Sequence, residues 1–131
     1  TATLDLRAKL EKSATATAWV FPDADEELAR ASYFYQTVGN GISAYAGSAT
    51  SVRCGTAFPY RMRTTPTVIL GTTTPGFIIG ASSVAGSGSA LAGSSADPTG
   101  VRALINGFSG LTTSTPGHGA AAGLIICDAE L

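Results

Sequence analysis

The chain has 131 residues and a mass of 13.1 kDa, which is the size of one domain able to build its own core. Its 44% hydrophobic and 13% charged residues exclude an intrinsically disordered protein. A net charge of −1 gives no electrostatic basis for binding nucleic acid or an acidic membrane surface, and no apolar run is long enough for membrane insertion.

The first 21 residues contain two β-prone segments. Leu4 and Leu6 alternate with charged residues, and Ser13 to Phe21 continues in small and aromatic residues. Neither segment has a partner within reach of a tight hairpin. We therefore assign residues 1–21 to the end of a preceding module or to linker strands. Because the chain begins at Thr1 rather than Met, we expect it to be a piece of a longer protein or a processed product.

A helix is predicted over residues 23–36, at the start of a domain that spans residues 22–131. Asp23 can act as its N-cap, and Glu26, three positions later, can complete a capping box. The acidic first turn suits the helix dipole, and Gly39 is a stop signal.

Short strands are predicted throughout the rest of the chain. The clearest runs from Val52 to Arg63, and Pro59 confines it to a sheet edge or a strand start. Further strands are predicted at residues 67–70, 77–79, 101–108 and 124–127, with a weak strand or a loop at 41–50. Short strands with few helical patterns predict a mainly β fold, an antiparallel, jelly-roll-like β-sandwich with one short helix in its N-terminal half.

Two tracts of small residues interrupt these strands. Residues 80–100 consist almost wholly of Gly, Ala and Ser, which predicts a long loop or a weak hairpin. Residues 112–123 are interpreted as a second loop. Cys54 and Cys127 are expected to be free, buried thiols, although a disulfide between them stays possible.

The predicted core is built from the apolar positions of the strands. Small residues elsewhere leave this core lean, so we expect a single copy to be only modestly stable and to oligomerise. The core residues are Phe58, Tyr60, Met62, Val68, Leu70, Phe77, Ile79, Ile105, Phe108, Leu124 and Ile126.

No catalytic constellation is evident. A single histidine, His118, cannot close a metal site alone, no Gly-x-Ser-x-Gly elbow is present, and the β-rich body lacks the carboxylate pair of a glycosidase. We therefore expect a protein that is not an enzyme and needs no metal or cofactor. His118 is interpreted as an exposed, idle side chain, unless a three-fold oligomer brings three copies together.

Binding residues are sought among aromatic and basic side chains in loops. Tyr45 can stack on a sugar ring while its hydroxyl hydrogen-bonds, although it can equally pack on its own domain. Arg53, near the start of a strand, can hydrogen-bond a ligand. With His118, these are the three candidate receptor-binding residues. Arg61 and Arg63 are expected to pair with acids of the helix or the C-terminal tail.

Four motifs occur in an order that is similar to a known family. They are AKLEKSATATAW at 8–19, EELARASYFYQTVGNG at 26–41, FPYRMRTTPTVIL at 58–70 and CDAEL at 127–131. In this order they resemble the C-terminal region of bacteriophage tail-fibre and related virion-fibre, receptor-binding proteins, over nearly the whole chain. The sequence departs from that family at residues 31–35, where ASYFY replaces the usual C.RYY.

The resemblance implies a homotrimeric fibre or spike tip on a virion, joined to other fibre or tail proteins and meeting a polysaccharide or receptor on the host surface. The loops at 39–56, 80–100 and 112–123 would face the host. No functional residue is transferred, because the shared motifs look structural. The alternative is a purely structural collar, head-fibre or trimerisation module without a ligand. A glycan-cleaving enzyme is a third possibility, which the missing carboxylate pair disfavours.

Overall fold

The computed structural model describes residues 23–130, so the strands predicted within residues 1–21 lie outside the described part. It contains one helix, α1 (Ala24–Ser32), and ten strands. The strands are β1 (Tyr35–Val38), β2 (Ser43–Ser48), β3 (Ser51–Ala57), β4 (Thr67–Leu70), β5 (Gly76–Ile79), β6 (Ser82–Ala85), β7 (Ala90–Asp97), β8 (Gly100–Asn106), β9 (Pro116–Gly119) and β10 (Ile125–Asp128).

The strands form two antiparallel sheets. The small sheet has the order β1-β10-β4, and the large sheet has the order β6-β5-β9-β2-β3-β8-β7. Apolar side chains from both sheets join one buried cluster, which includes Phe77, Ile105 and Ile125. The mainly β prediction is therefore confirmed, and the arrangement is consistent with a β-sandwich.

Helix α1 begins as the sequence predicts but ends earlier. The Asp23 carboxylate accepts a hydrogen bond from the Asp25 N–H at 3.2 Å, which confirms the N-cap. Glu26 instead accepts from Arg30 at 2.7 Å. The predicted end at residue 36 is wrong, because Tyr35 already belongs to β1, where pairing with β10 replaces the helical hydrogen bonds.

Strand β3 is shorter than the predicted strand from Val52 to Arg63. It ends at Ala57, and the chain then turns against the β7–β8 connection. The Phe58 N–H donates to the Thr99 carbonyl at 2.8 Å and the Met62 N–H to the Pro98 carbonyl at 2.7 Å. These hydrogen bonds to the β7–β8 turn replace the pairing with a neighbouring strand that a longer β3 would make.

Both small-residue tracts contain strands that the sequence analysis did not predict. Residues 80–100 contain β6 and β7, and residues 112–123 contain β9. The Gly content of β9 allows its neighbours to approach closely: a Cβ on Gly117 would lie 2.1 Å from the Ile78 carbonyl oxygen. Low side-chain volume therefore accompanies close strand packing here, and the prediction of uninterrupted loops is wrong. Of the two alternatives for residues 80–100, the hairpin is the nearer one, because β6 pairs with β5 and β7 with β8.

Most of the predicted core is buried, with two errors. Tyr60 is 42% exposed because the chain leaves β3 before reaching it. Ile126 is only half-buried, because Ile125 and Cys127 are the β10 residues that face the core. Val68 and Leu70 are half-buried and pack against the core cluster. Buried hydrophobic residues that the predicted core omitted are Ile42, Ala44, Ala46, Val52, Cys54, Val101, Ala103, Leu111, Ile125, Cys127 and Ala129.

Cys54 and Cys127 are both buried and free, as expected. Burial raises the pKa of the Cys54 thiol to about 12 and that of Cys127 to about 11. Across residues 23–130, no helix has the length and apolar character needed to span a membrane.

Candidate functional site

The outer face of the large sheet carries the three residues singled out from the sequence. Along β2 the side chains alternate, so that Ala44 and Ala46 point into the core while Ser43 and Tyr45 face outward. Tyr45 is 45% exposed, so it does not pack inside its own domain. It lies in strand β2, so of the two alternatives predicted for residues 41–50 the strand is confirmed.

Arg53 lies directly opposite Tyr45 on the adjacent strand. The β2–β3 register pairs the two residues, and both side chains are exposed. Directly opposed residues of an antiparallel pair have their Cβ atoms about 4.5–5.5 Å apart, which brings the ring and the guanidinium to one place on the surface. The structure therefore unites two of the predicted binding residues.

A groove of about 690 Å³ runs over this part of the sheet, lined by residues of β2, β3, β7 and β8. Tyr45 and Arg53 both line it. The absence of side chains at Gly55 and Gly93 keeps its floor low, and nothing lies within 4 Å of where a Gly93 Cβ would be. The volume falls in the range of about 300–1,000 Å³ that is typical of small-molecule sites.

Arg102 is a groove residue that the sequence analysis missed. It is exposed on β8, where it pairs with Gly55 of β3. A Cβ on Gly55 would lie 3.1 Å from the Arg102 Cγ, so the arginine stem extends over the glycine. The sequence indicated that Arg102 faces outward, since it follows Val101 in the alternating pattern of a predicted strand. It did not show that Gly55 lies opposite Arg102, because that depends on the register of β3 and β8.

His118 occupies a different place on the same face. It lies in β9, not in a loop, and is exposed between Ser43 of β2 and Ile78 of β5. It does not line the groove. His118 therefore lies opposite Ser43, two residues before Tyr45 in β2, and is a diagonal neighbour of Tyr45 that lies outside the groove.

The charge of the groove is positive. Arg53 and Arg102 line it, and no Asp or Glu is present among its lining residues in the described part of the chain. Asp97, at the end of β7, is close enough to Arg102 for their charges to interact. Its pKa is lowered by hydrogen bonds from the Thr99 side chain and backbone, and to a smaller degree by the charge of Arg102.

The other basic residues within residues 23–130 do not line this groove. Arg63 was expected to pair with an acid, but its guanidinium carbon lies 5.8 Å from the centre of the Phe34 ring, in a cation–π arrangement. The backbone N–H of Arg63 donates to the Tyr33 carbonyl at 2.8 Å, which connects the segment after β3 to the end of α1. Arg61 is exposed.

Metal chemistry has no visible basis in residues 23–130, where no group of three or more His, Cys, Asp or Glu residues converges. Comparisons with protein-family models, with curated proteins and with solved structures gave no match. The resemblance to fibre proteins thus stays a prediction from the four sequence motifs.

Proposed function

We propose that this domain is the tip of a virion fibre or spike and that it attaches a phage or phage-like particle to polysaccharide on the host surface. The observation that carries the proposal is the placement of Tyr45 and Arg53 as direct neighbours in a groove on an outward-facing sheet. Under this proposal the protein acts by adhesion and not by catalysis.

The groove supplies the contacts that a sugar requires. The Tyr45 ring offers an apolar surface on which a pyranose ring stacks, and its hydroxyl hydrogen-bonds at the edge. Arg53 donates to sugar oxygens, and the hydroxyls of Ser43 and Ser95 add further donors and acceptors along the groove.

We further propose that three copies assemble, as jelly-roll-like sandwiches joined to other fibre or tail proteins. Three weak sites that engage one polysaccharide bind together more tightly than any one site, because the second and third contacts are intramolecular. Low affinity at a single open groove is therefore compatible with firm attachment.

Helix α1 favours a second candidate, a structural trimerisation or collar module without a ligand. None of its residues is buried, and Leu28 is 57% exposed. Because most helical stability in proteins comes from tertiary packing, a helix without a buried residue suits packing in an assembly. The hypothesis of a structural module accounts for the exposed helix but not for the groove, so it is the second candidate.

Binding of the fluorescently labelled chain to host cells, and to polysaccharide extracted from them, tests the proposal. We expect Tyr45→Ala to abolish most of the binding. Tyr60→Ala is the matched control, since Tyr60 is similarly exposed, at 42%, and lies outside the groove. Equal binding by the wild type and Tyr45→Ala would show that the groove is not the binding site.

The mass of the chain in solution tests the assembly. We expect a particle of about three times 13.1 kDa. A folded monomer of 13.1 kDa that still binds cells would separate attachment from trimer formation. A trimer that binds neither cells nor polysaccharide would favour the structural module.

A further inference from the structure

We propose that the groove selects a saccharide that carries carboxylate groups, such as a uronic-acid polymer, over a neutral one. This inference rests on the proposed function and specifies its ligand class. It follows from the positive charge of the groove and from the positions of Arg53 and Arg102 on adjacent strands.

Two guanidiniums line the groove with no carboxylate between them. Arg53 pairs with Leu104 of β8, and Arg102 lies two residues before Leu104, so the arginines are diagonal neighbours on adjacent strands. Diagonal positions on one face lie about 7–8 Å apart, within reach of long side chains. Asp97 offsets part of the charge of Arg102, but the Asp97 carboxylate already accepts from Thr99 and does not line the groove.

Each arginine also has a glycine beneath its stem. A Cβ on Gly47 would lie 3.1 Å from the Arg53 Cγ and 3.3 Å from its Nε, just as one on Gly55 would crowd Arg102. A side chain at either glycine would therefore require the arginine stem to shift by a few tenths of an ångström. The two glycines thus leave room for the arginine stems to lie close to the sheet.

A carboxylate matches these donors better than a neutral hydroxyl does. A guanidinium presents parallel N–H donors that bind both oxygens of a carboxylate, and such charge-assisted pairs are roughly twice as strong as neutral hydrogen bonds. Tyr45 beside Arg53 supplies the stacking surface for the sugar ring to which that carboxylate is attached. One acidic sugar thus uses both members of the cross-strand pair.

Calorimetric titration with matched oligosaccharides tests the inference on the intact chain. The probes are an oligogalacturonate, the same oligosaccharide with its carboxyl groups reduced to alcohols, and a sulfated dextran oligosaccharide. We expect the oligogalacturonate to bind at least about tenfold more tightly than either of the others, and its affinity to fall as salt is raised.

The substitutions Arg53→Gln and Arg102→Gln locate the effect. Each is expected to weaken oligogalacturonate binding about tenfold or more and to weaken binding of the reduced sugar by a much smaller factor, because glutamine can still donate a hydrogen bond to a sugar oxygen but carries no charge. Arg61→Gln is the control, because it removes the same charge from an exposed position outside the groove. Circular dichroism of each variant confirms that the fold is retained.

The contrary outcomes are distinct. Equal binding of the acidic and reduced sugars overturns the inference and leaves attachment through neutral glycan intact. Preference for the sulfated sugar, or an equal loss with Arg61→Gln, also overturns it, since either result indicates a different group or unspecific charge. Failure to bind all three probes overturns it as well, and the cell-binding measurement above then decides separately whether the proposed attachment holds.

Discussion

Gln36 joins three parts of the molecule through one side-chain amide. Its Nε2 donates to the Tyr60 carbonyl at 2.6 Å and to the Ser32 carbonyl at 2.9 Å. The residue is buried in β1, so it fastens both the end of α1 and the irregular segment after β3 to the small sheet. This contact stands where a longer helix was expected from the sequence.

Removal of that amide tests its contribution. We expect Gln36→Leu to lower the free energy of unfolding by about 1–3 kcal/mol, because the part-buried bonds to the Ser32 and Tyr60 carbonyls are both lost. Urea denaturation provides the measurement. Thr37→Ala, at the exposed neighbouring position, is the control and is expected to change the free energy by less than about 0.5 kcal/mol. Equal stability of wild type and Gln36→Leu would contradict this view.

The glycines of the large sheet should differ sharply in their tolerance of alanine. Gly117→Ala is expected to cost about 3 kcal/mol or more, since its Cβ would lie 2.1 Å from the Ile78 carbonyl oxygen. Gly93→Ala meets open space and is expected to cost less than about 1 kcal/mol. Thermal and urea unfolding of the two variants give the comparison. Similar costs at both positions would show that the close approach at β9 is not a constraint.

The two thiols are expected to be unreactive in the folded protein. At pH 8 we expect Cys54 and Cys127 to react with a disulfide reagent at least about tenfold more slowly than in urea, because burial raises both pKa values and blocks access. The variants Cys54→Ala and Cys127→Ala assign each rate. Rapid labelling of the native wild type would contradict the burial of these side chains.

The same pKa values set the sign of a pH effect on stability. A thiol whose folded pKa is raised stays neutral while the unfolded chain ionises, so stability is full below the ordinary thiol pKa of 9.0 and falls as pH rises toward about 11 and 12. Unfolding measured from pH 8 to 10.5 should show this decline. The decline should be smaller in a chain that carries both Cys54→Ala and Cys127→Ala. If stability falls equally steeply with pH in that chain, the decline is caused by other groups.

Asp97 gives an effect of the opposite sign. Its Oδ1 accepts from the Thr99 N–H at 2.6 Å and from the Thr99 hydroxyl at 2.5 Å, which lowers its pKa. The stability it contributes is therefore complete above the ordinary carboxyl pKa and is lost as pH falls through the lowered value. Carboxyl NMR titration should give a low midpoint that rises in Thr99→Val. An unchanged midpoint in that variant would exclude the hydroxyl as the main cause.

Sequence patterns were reliable where branched or aromatic residues alternate. The strand at Thr67–Leu70 has the predicted bounds, and β5 and β10 differ by a residue at one or both ends. Phe77, Ile79 and Ile105 are buried as expected. These residues carry enough apolar area for burial to fix both the strand and the face it turns inward.

The same reasoning failed where side chains are small. In β7 and β9, Gly, Ala and Ser give almost no periodic signal, and the strands exist because neighbouring strands supply their hydrogen bonds. Tyr45 and Arg53 were recognised by type, but their pairing depends on the β2–β3 register, and Arg102 joins them only through β8. Tertiary contacts therefore decide both the extra strands and the composition of the groove.

The strands β9 and β10 follow all the others in sequence, yet each is inserted between two earlier strands, β9 between β5 and β2 and β10 between β1 and β4. During synthesis on the ribosome, neither sheet can close until these strands emerge, and β1, β2, β4 and β5 expose unpaired backbone until then. A nascent chain stalled before residue 116 would be a strong substrate for chaperones.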